Sequence, residues 1–480
     1  MSPAEPPSAT AEQALKIARQ HQAAGRLADA ESIYRSLLEA DPDNADVLHL
    51  LGATALQLGN YDQAASRMER AVALSPGNPV FLNNLGEALR ELNRPRAAEK
   101  HYRRALALKP DFVKAHNNLA NALKAQGRYD EAAASYDAAM KLDPAFAHAR
   151  VNYALFQLLR GDYASGFAFY EQRYEGTDLR HVNFARDMIG RMHGAPQWQG
   201  EPLAGQRLLV WTEQGLGDSV MMMRYLPLLK NRGAGRVIVY CSAPLVRLMR
   251  AVAGVDEVIA QEDSLAVGTF DRYCALMSLP HVFATTLDSV PPDVPYLRVP
   301  AELQCKWVAR LAAIARPRVG LVWAGAKRNL TEARRSTRLQ AFAPVLGAGG
   351  AHFVSLQKGA EARELETVKW PLFDAMDECG DLMETAALIG ELDLVITIDT
   401  SVAHLAGALG RPVWLLTRGD SAWQWLLERE TSPWYPTMRI FRQPPGGNWH
   451  DLMVRVAAAF RTAFGGGAGE PATRGHARVQ

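Results

Sequence analysis

Cysteine is scarce in this sequence: there are four in 480 residues, and none of them forms a C-x-x-C pair. Zinc sites and redox motifs usually need such a pair, and a disulfide scaffold needs a far higher cysteine content. We therefore expect reduced, mostly buried thiols and no metal site. The four residues are Cys241, Cys274, Cys305 and Cys379.

Neither sign of charge is in large excess, because 53 Lys and Arg residues face 51 Asp and Glu residues, a formal net charge of +2. Without a broad cationic field we expect no nucleic-acid partner, and any anion site must be local. No apolar run reaches the roughly 18 residues that span a bilayer. Residues 1–10 lack the cationic start and apolar core of a signal peptide. The sequence predicts a cytoplasmic protein with no membrane span.

The first third of the sequence repeats every 34 residues. The closing column reads Pro42, Pro76, Pro110 and Pro144, and the turn column reads Gly25, Gly59, Asn93, Gly127 and Gly161. In such a unit glycine supplies a left-handed turn between two helices, and proline starts the next unit. The pattern resembles the tetratricopeptide repeat, which implies an α-solenoid of stacked helical hairpins with a concave groove.

An asparagine column runs along the first helix of successive repeats, at Asn84, Asn118 and Asn152. A carboxamide offers both a donor and an acceptor, which match the backbone of an extended peptide. We expect these residues to bind peptide in the groove. The alternative is that they cap or bridge adjacent helices.

From about residue 206 the helical period gives way to short apolar runs separated by helix-like stretches, which is typical of parallel-sheet folds. Strands are predicted at 207–213, 236–241, 257–260, 270–276, 318–324, 352–356, 392–399, 412–417 and 438–442. They indicate two Rossmann-like lobes facing each other across a cleft. Ligands of such sheets collect at the carboxyl ends of the strands.

The leading strand of the first lobe ends in a turn that carries Gly215, Gly217 and Asp218. The glycines permit close backbone approach, and Asp218 is placed to accept a proton from a hydroxyl nucleophile. The alternative is that Asp218 is only the N-cap of the following helix. The third glycine of a G-x-G-x-x-G motif is absent, which disfavours a dehydrogenase.

In the second lobe the strand at 392–399 runs into Thr400 and Ser401, which open a helix. The free N–H groups of a helix start suit a phosphate. We expect Thr400 and Ser401 to donate to a diphosphate and His404 to face the phosphate or the sugar. Alternatively Asp399 is only a cap and His404 is a packed histidine bonded to a neighbouring strand.

Positive charge follows the first strand of the second lobe. Lys327 and Arg328 come just after its carboxyl end, where they would neutralise a leaving diphosphate. A basic run at Arg334, Arg335 and Arg338 either adds to this charge or forms a solvated loop. Near the end of the chain, a set of aromatic residues either walls the donor site or packs between the final helices. This set is Trp423, Trp425, Trp434 and Tyr435.

Four segments together resemble the heptosyltransferase-like glycosyltransferases of family 9, which have the GT-B fold. They read QGLGDSVMMMRYLP, GLVWAGAKRN, DLMETAALIGELDLVITIDTSVAHLAGALGRPVWLL and SPWYPTMRIFRQ. The resemblance implies an acceptor-binding first lobe with its base in the Gly217–Asp218 turn. It implies a donor motif at Asp399, Thr400 and His404, and inversion at the sugar. The loop before Lys327 matches the lysine-bearing loop of that family only loosely.

The fusion of repeats to such lobes also resembles bacterial protein glycosyltransferases, including those that modify flagellin, and the architecture of O-GlcNAc transferases. This resemblance implies that the acceptor is a protein docked in the groove. Taken together, the sequence predicts metal-independent transfer, without a cofactor, of a sugar from a nucleotide-diphosphate donor to a hydroxyl of that protein. Two alternatives stay open: a non-catalytic scaffold with degenerate lobes, and a lipopolysaccharide-type glycan acceptor.

The predicted fold class is an α-solenoid followed by two α/β lobes. Its domains are a disordered start at 1–10, the repeat array at 11–175, a linker at 176–205, the lobes at 206–310 and 311–464, and a disordered tail at 465–480.

Overall fold

The structure is a computed structural model that describes residues 8–175, 187–326, 334–368, 370–420, 422–444 and 447–465. The chain divides into two compact units, one reaching Ala154 and the other starting at Leu155. The domain boundaries drawn from the sequence remain predictions.

The first unit is an array of helical hairpins, and the residues of the turn column adopt the positive φ that glycine and asparagine tolerate. Gly25, Gly59 and Gly127 have φ of +75°, +79° and +75°, and Asn93 in the same column has φ of 60°. The helices are α1 Ser8–Ala23, α2 Leu27–Ala40, α3 Ala45–Gln57, α4 Tyr61–Leu74, α5 Pro79–Glu91, α6 Pro95–Leu108, α7 Val113–Ala125 and α8 Tyr129–Leu142.

Small residues let the two helices of each hairpin approach. A Cβ placed on Gly52 would lie 2.8 Å from Cγ of Met68, and one on Gly86 would lie 2.5 Å from the ring of Tyr102. The small residue of one helix therefore receives the large residue of the other. Burial of these columns stabilises each hairpin.

Helix α9, Ala147–Arg160, begins in the first unit and ends in the second, and α10, Tyr163–Tyr170, lies wholly in the second. A short 3₁₀ helix, Glu171–Tyr174, follows it. The last hairpin predicted from the repeat period thus belongs in part to the α/β unit.

The first lobe contains a parallel sheet in the order β3-β2-β1-β4. Its strands are β1 Arg207–Trp211, β2 Arg236–Cys241, β3 Glu257–Ala260 and β4 Arg272–Ala275. The central strand β1 is flanked on both sides, so its apolar residues are buried as the continuous run in the sequence predicts.

The second lobe contains a parallel sheet in the order β10-β9-β8-β5-β6-β7. Its strands are β5 Arg318–Val322, β6 His352–Ser355, β7 Leu372–Asp374, β8 Leu394–Ile398, β9 Val413–Thr417 and β10 Met438–Arg442. Strands β5 and β8 pair at the centre, and their residues are all buried. The predicted fold class, an α-solenoid followed by two parallel α/β lobes, is confirmed.

All nine predicted strands form, and β2, β3 and β10 have the predicted bounds. The sequence missed β7, because two half-buried residues and one exposed residue at a sheet edge give no apolar run. Helices of the lobes are α11 Leu216–Met222, α12 Leu228–Asn231, α13 Val246–Arg250, α14 Leu279–Val282, α15 Ala301–Arg310, α16 Ala343–Leu346, α17 Leu382–Gly390, α18 Ser401–Ala408 and α19 Trp449–Phe464.

Across the described ranges, no helix combines the length and apolar character that crossing a membrane requires.

Candidate functional site

The turn after β1 holds Asp218 at the start of α11. Gly215 is the N-cap, and its backbone N–H donates to Oδ2 of Asp218 at 3.1 Å. Asp218 therefore stands in the first turn of the helix rather than at the N-cap, and its carboxylate accepts the Gly215 N–H as in a capping box. The N-cap alternative is wrong in position, but Asp218 does contribute to capping this helix. Its carboxylate is half-buried.

The turn after β8 leads through Asp399 and Thr400 into α18. Thr400 occupies the N-cap position, but its side chain makes no capping hydrogen bond. Its Oγ1 lies 3.2 Å from Oγ1 of Thr397 instead. The start of α18 thus lacks a side-chain cap, and uncapped N–H groups at a helix start favour an anion.

These two turns, one from each lobe, meet at Gly217. A Cβ on Gly217 would lie 2.7 Å from Cδ2 of His404 and 3.5 Å from Cα of Ser401. The missing side chain lets the first turn of α11 approach α18 closely. Asp218, Asp399, Thr400 and Ser401 stay half-buried around this contact, so they are partly open to solvent.

The carboxylate of Asp399, in the second lobe, acts on the carboxylate of Asp218, in the first. Burial, together with the negative charge of Asp399, raises the pKa of Asp218 to about 6, although the Gly215 amide and Arg335 act to lower it. Burial also raises the pKa of Asp399, again against the cation Arg335. A pKa near neutrality suits a group that must accept a proton.

Arg335 is the cation that the structure places at this site. A Cβ on Gly325 would lie 3.2 Å from Nε of Arg335 and 3.4 Å from Cγ2 of Thr400. The Nε atom is buried and has no acceptor within the described ranges. The solvated-loop interpretation is therefore wrong for Arg335, although it fits the exposed Arg338. Lys327 and Arg328 lie outside the described residues.

His404 is buried on α18, and its Nδ1 lies 3.0 Å from the hydroxyl oxygen of Tyr435. Its ring centroid is 5.1 Å from that of Trp425. Burial, with the cations Arg224 and Arg335, lowers the pKa of His404 to about 3. The imidazole is therefore neutral at physiological pH, and its partner is a tyrosine in the loop before β10 rather than a strand.

The aromatic set near the end of the chain divides into two groups. Trp423 and Trp434 pack on α10, and Trp434 donates from Nε1 to the hydroxyl of Tyr163 at 2.9 Å. This is aromatic packing, but against α10 and not between the final helices as the alternative interpretation states. Trp425 and Tyr435 instead surround His404 and so border the site.

Two buried arginines next to the site escaped the sequence analysis. Arg173 donates to Glu213 from Nε at 3.1 Å and from Nη2 at 2.6 Å, and Glu213 leads into the Gly215 turn. Arg224, in the 3₁₀ turn Met223–Tyr225, has no carboxylate partner among the described residues. The available signal was a lone charge at the end of an apolar run, at Glu213 after RLLVWT and at Arg224 after MMM.

The asparagine column of the array forms a continuous chain of hydrogen bonds. Asn152 donates to Asn117, Asn117 to Asn118, Asn118 to Asn83, and Asn83 to Asn84, at 3.0–3.2 Å. Asn84 then donates to Nε2 of His49 at 3.2 Å. The bridging alternative thus describes these side chains. Peptide binding by Asn84, Asn118 and Asn152 stays a prediction.

Family comparisons agree with both resemblances. Residues 15–79, 83–145 and 118–175 match the tetratricopeptide repeat, and residues 353–416 match glycosyltransferase family 9 (heptosyltransferase). The second match includes Asp399, Thr400, Ser401 and His404. The chain therefore combines tetratricopeptide repeats with a segment similar to family 9 glycosyltransferases.

A curated relative, Protein FlbA of Caulobacter vibrioides, is 32% identical over 287 residues. The match covers 55% of this chain and 48% of the relative, so the chain spans about half the length of that relative.

Solved structures that resemble part of this chain include MamA, at 23% identity and a TM-score of 0.30 over 35% of this chain and 97% of that one. Another is a thermophilic tetratricopeptide protein of Thermus thermophilus, at 22% identity and a TM-score of 0.33. That match covers 37% of this chain and 99% of the Thermus protein. A third is PilW, a widely conserved type IV pilus biogenesis factor, at 21% identity and a TM-score of 0.33. That match covers 38% of this chain and 84% of PilW.

Proposed function

We propose that this protein is a GT-B glycosyltransferase that moves a sugar from a nucleotide-diphosphate donor to an acceptor hydroxyl. The observation that carries the proposal is the meeting of the uncapped start of α18 with the Asp218 turn, beside Arg335. An anion site and a proton acceptor on opposite lobes are the two parts that such a transfer needs.

In the proposed reaction the acceptor oxygen attacks the anomeric carbon of the sugar. The bond from that carbon to the diphosphate oxygen breaks, and its electron pair leaves with the diphosphate. The hydroxyl proton passes to Asp218. With a pKa of about 6, Asp218 is mostly ionised at pH 7 and can take this proton. One base acting opposite the leaving group would invert the sugar.

The departing diphosphate would carry its negative charge to the start of α18. Helix amides, the Ser401 hydroxyl and the guanidinium of Arg335 are the donors that support this role. The sequence predicts that Lys327 and Arg328 add positive charge for the diphosphate. No metal ion or cofactor takes part in the proposed reaction.

The acceptor is proposed to be a protein held by the repeat array. A groove that captures a substrate raises its effective concentration at the catalytic unit without any change in the chemistry. The repeats supply the stacked first helices on which peptide-binding grooves are built, with half-exposed Asn84, Asn118 and Asn152 along them.

Calorimetry with UDP-, GDP- and ADP-sugars, and with a CMP-sugar that has one phosphate, tests this function. We expect one nucleoside diphosphate sugar to bind, and Arg335→Gln to weaken it at least about tenfold through the lost charge-assisted contact. Arg338→Gln, on the same segment but exposed, is the matched control and should bind as wild type. Silence from every nucleotide would instead support the scaffold alternative.

A further inference from the structure

The hydroxyl of Tyr435 is held next to His404 by close packing around both rings. Tyr435 is fully buried, and a Cβ on Gly407 would lie 2.4 Å from its ring, so the ring occupies the space that glycine leaves. Trp425 packs against the imidazole. The 3.0 Å contact between Oη of Tyr435 and Nδ1 of His404 is therefore a fixed feature of the second lobe.

The Tyr435 hydroxyl needs a hydrogen-bond acceptor for its single hydrogen. Tyr296 points its own hydroxyl toward Tyr435 as a donor at 3.4 Å, and more closely toward the carbonyl of Val220 at 3.0 Å. Nδ1 of His404, at 3.0 Å, is a nearer acceptor for the Tyr435 hydroxyl than the Tyr296 oxygen, at 3.4 Å. A buried hydroxyl without an acceptor is costly, so the arrangement favours donation from Tyr435 to Nδ1.

A neutral imidazole whose Nδ1 accepts a hydrogen bond carries its hydrogen on Nε2. Nε2 lies 3.2 Å from the position that a Cβ on Gly217 would take. The Cδ2–Nε2 edge of the ring therefore faces Gly217, at the contact between α11 and α18. No hydrogen bond from Nε2 to any described residue is formed.

A first-lobe cation completes the arrangement. The guanidinium of Arg224 lies 4.7 Å from the ring centroid of Tyr296 and 5.0 Å from that of Tyr435. It donates to the Tyr296 hydroxyl at 3.2 Å and to backbone carbonyls of Met221 and Pro291. A buried positive charge so close to His404 disfavours a second proton on the imidazole.

We propose that Tyr435 is a positioning residue that fixes His404 as its Nε2–H tautomer, so that His404 offers a neutral N–H donor to the diphosphate. This inference rests on the proposed function. It means that His404 stabilises the departing diphosphate through a hydrogen bond and does not protonate it.

Nitrogen NMR on the full-length protein labelled with [¹⁵N]histidine tests the tautomer directly. The chain has 12 histidines, and the signals of His404 are assigned by their loss in His404→Gln. At pH 7 we expect couplings of the Nε2–H form in the wild type and a shift toward the Nδ1–H form in Tyr435→Phe. The control Tyr296→Phe removes a hydroxyl that does not contact His404 and should keep the wild-type pattern.

An Nδ1–H wild type, or a Tyr435→Phe variant with an unchanged tautomer, would overturn the assignment. Circular dichroism checks that the variants fold, and the wild-type spectrum decides the tautomer even if Tyr435→Phe does not.

A second measurement separates this inference from the proposed function. UDP, GDP and ADP are added to the labelled protein, and whichever binds should move the Nε2–H signal. We expect Tyr435→Phe to weaken that nucleotide about tenfold. Binding without any change at Nε2 would overturn the donor role alone. Absence of binding by every nucleotide would overturn the proposed function, and the donor role with it, while the tautomer stands on the first measurement.

Discussion

Gly217 of the first lobe lies directly against the imidazole of His404 of the second, where a Cβ would be only 2.7 Å from Cδ2. The contact joins the turn that carries the proposed base to the helix that carries the proposed diphosphate site. A side chain at position 217 must therefore move one lobe against the other or displace His404.

Gly217→Ala should for this reason reduce sugar transfer sharply, by about 10²-fold if the reacting groups are displaced by roughly 1 Å. The measurement is kcat/KM with the donor identified by calorimetry. Gly390→Ala is the matched control, because a Cβ on Gly390 at the end of α17 would meet nothing within 4 Å. Equal activity of the two variants would show that the close approach at Gly217 is not needed.

The pH dependence of transfer should follow Asp218. The reaction needs the ionised carboxylate, so kcat/KM should fall about tenfold per pH unit below the pKa of about 6 and level off above it. Asp218→Asn should transfer sugar slowly, and its kcat/KM should not show this fall at low pH. In Asp399→Asn the fall of kcat/KM should begin at a lower pH, because the charge of Asp399 raises the pKa of Asp218. If the fall of kcat/KM at low pH is the same in both variants as in the wild type, Asp218 is not the base.

Folding stability should respond to the same group with a defined sign. The folded pKa of Asp218 lies above the ordinary value of 3.8, so the folded state binds more protons than the unfolded state between about pH 4 and 6. The contribution of Asp218 to the free energy of unfolding is thus present at low pH and lost as pH rises through about 6. Urea unfolding of the wild type and of Asp218→Asn at several pH values measures the difference.

The hydrogen-bond chain in the array predicts a stability cost for a single polar residue. Asn118→Ala leaves the buried Asn83 without a donor and the buried Asn117 without an acceptor. We expect the free energy of unfolding of the array to fall by about 1–3 kcal/mol. Asn60→Ala is the control, since Asn60 is exposed and its side chain makes no capping bond. Urea unfolding followed by circular dichroism compares them.

Removal of one partner from the buried Arg173–Glu213 pair should be strongly destabilising. Glu213→Leu leaves a buried guanidinium without its main counter-charge, which costs about 3–5 kcal/mol of unfolding free energy. The double variant Arg173→Met, Glu213→Leu should recover part of this loss. Glu378→Gln, in an exposed pair with Arg310, should leave the denaturant midpoint unchanged. A double variant no more stable than the single one would contradict this account.

Sequence patterns identified most of the elements because local chemistry decides them. The 34-residue period places each hairpin turn, since only residues that tolerate positive φ fit there. Continuous apolar runs identify buried parallel strands, and β7 was missed because an edge strand needs no such run. The turns after β1 and β8 were recognised as site segments because parallel sheets bind ligands at their carboxyl ends.

Pairing between distant residues could not be read from these patterns. Nothing local to Arg335 distinguishes it from Arg338, yet one lies beside Gly325 and Thr400 and the other is exposed. The asparagine column was visible, but its partners in the neighbouring columns depend on how the repeats stack.

The amino-acid sequence by itself determined the repeat, the two sheets and the residue types at each turn, because backbone propensity and burial periodicity act over a few neighbouring positions. Tertiary structure alone decided that Gly217 meets His404, that the Tyr435 hydroxyl contacts the imidazole, and that Asp218 and Asp399 share one electrostatic environment. The Gly217–His404 and Asp218–Asp399 relationships form only when the two lobes pack together, and the Tyr435–His404 contact forms only when the second lobe folds. The charges that act on Asp218 from Asp399 and Arg335 come from residues far away in the chain.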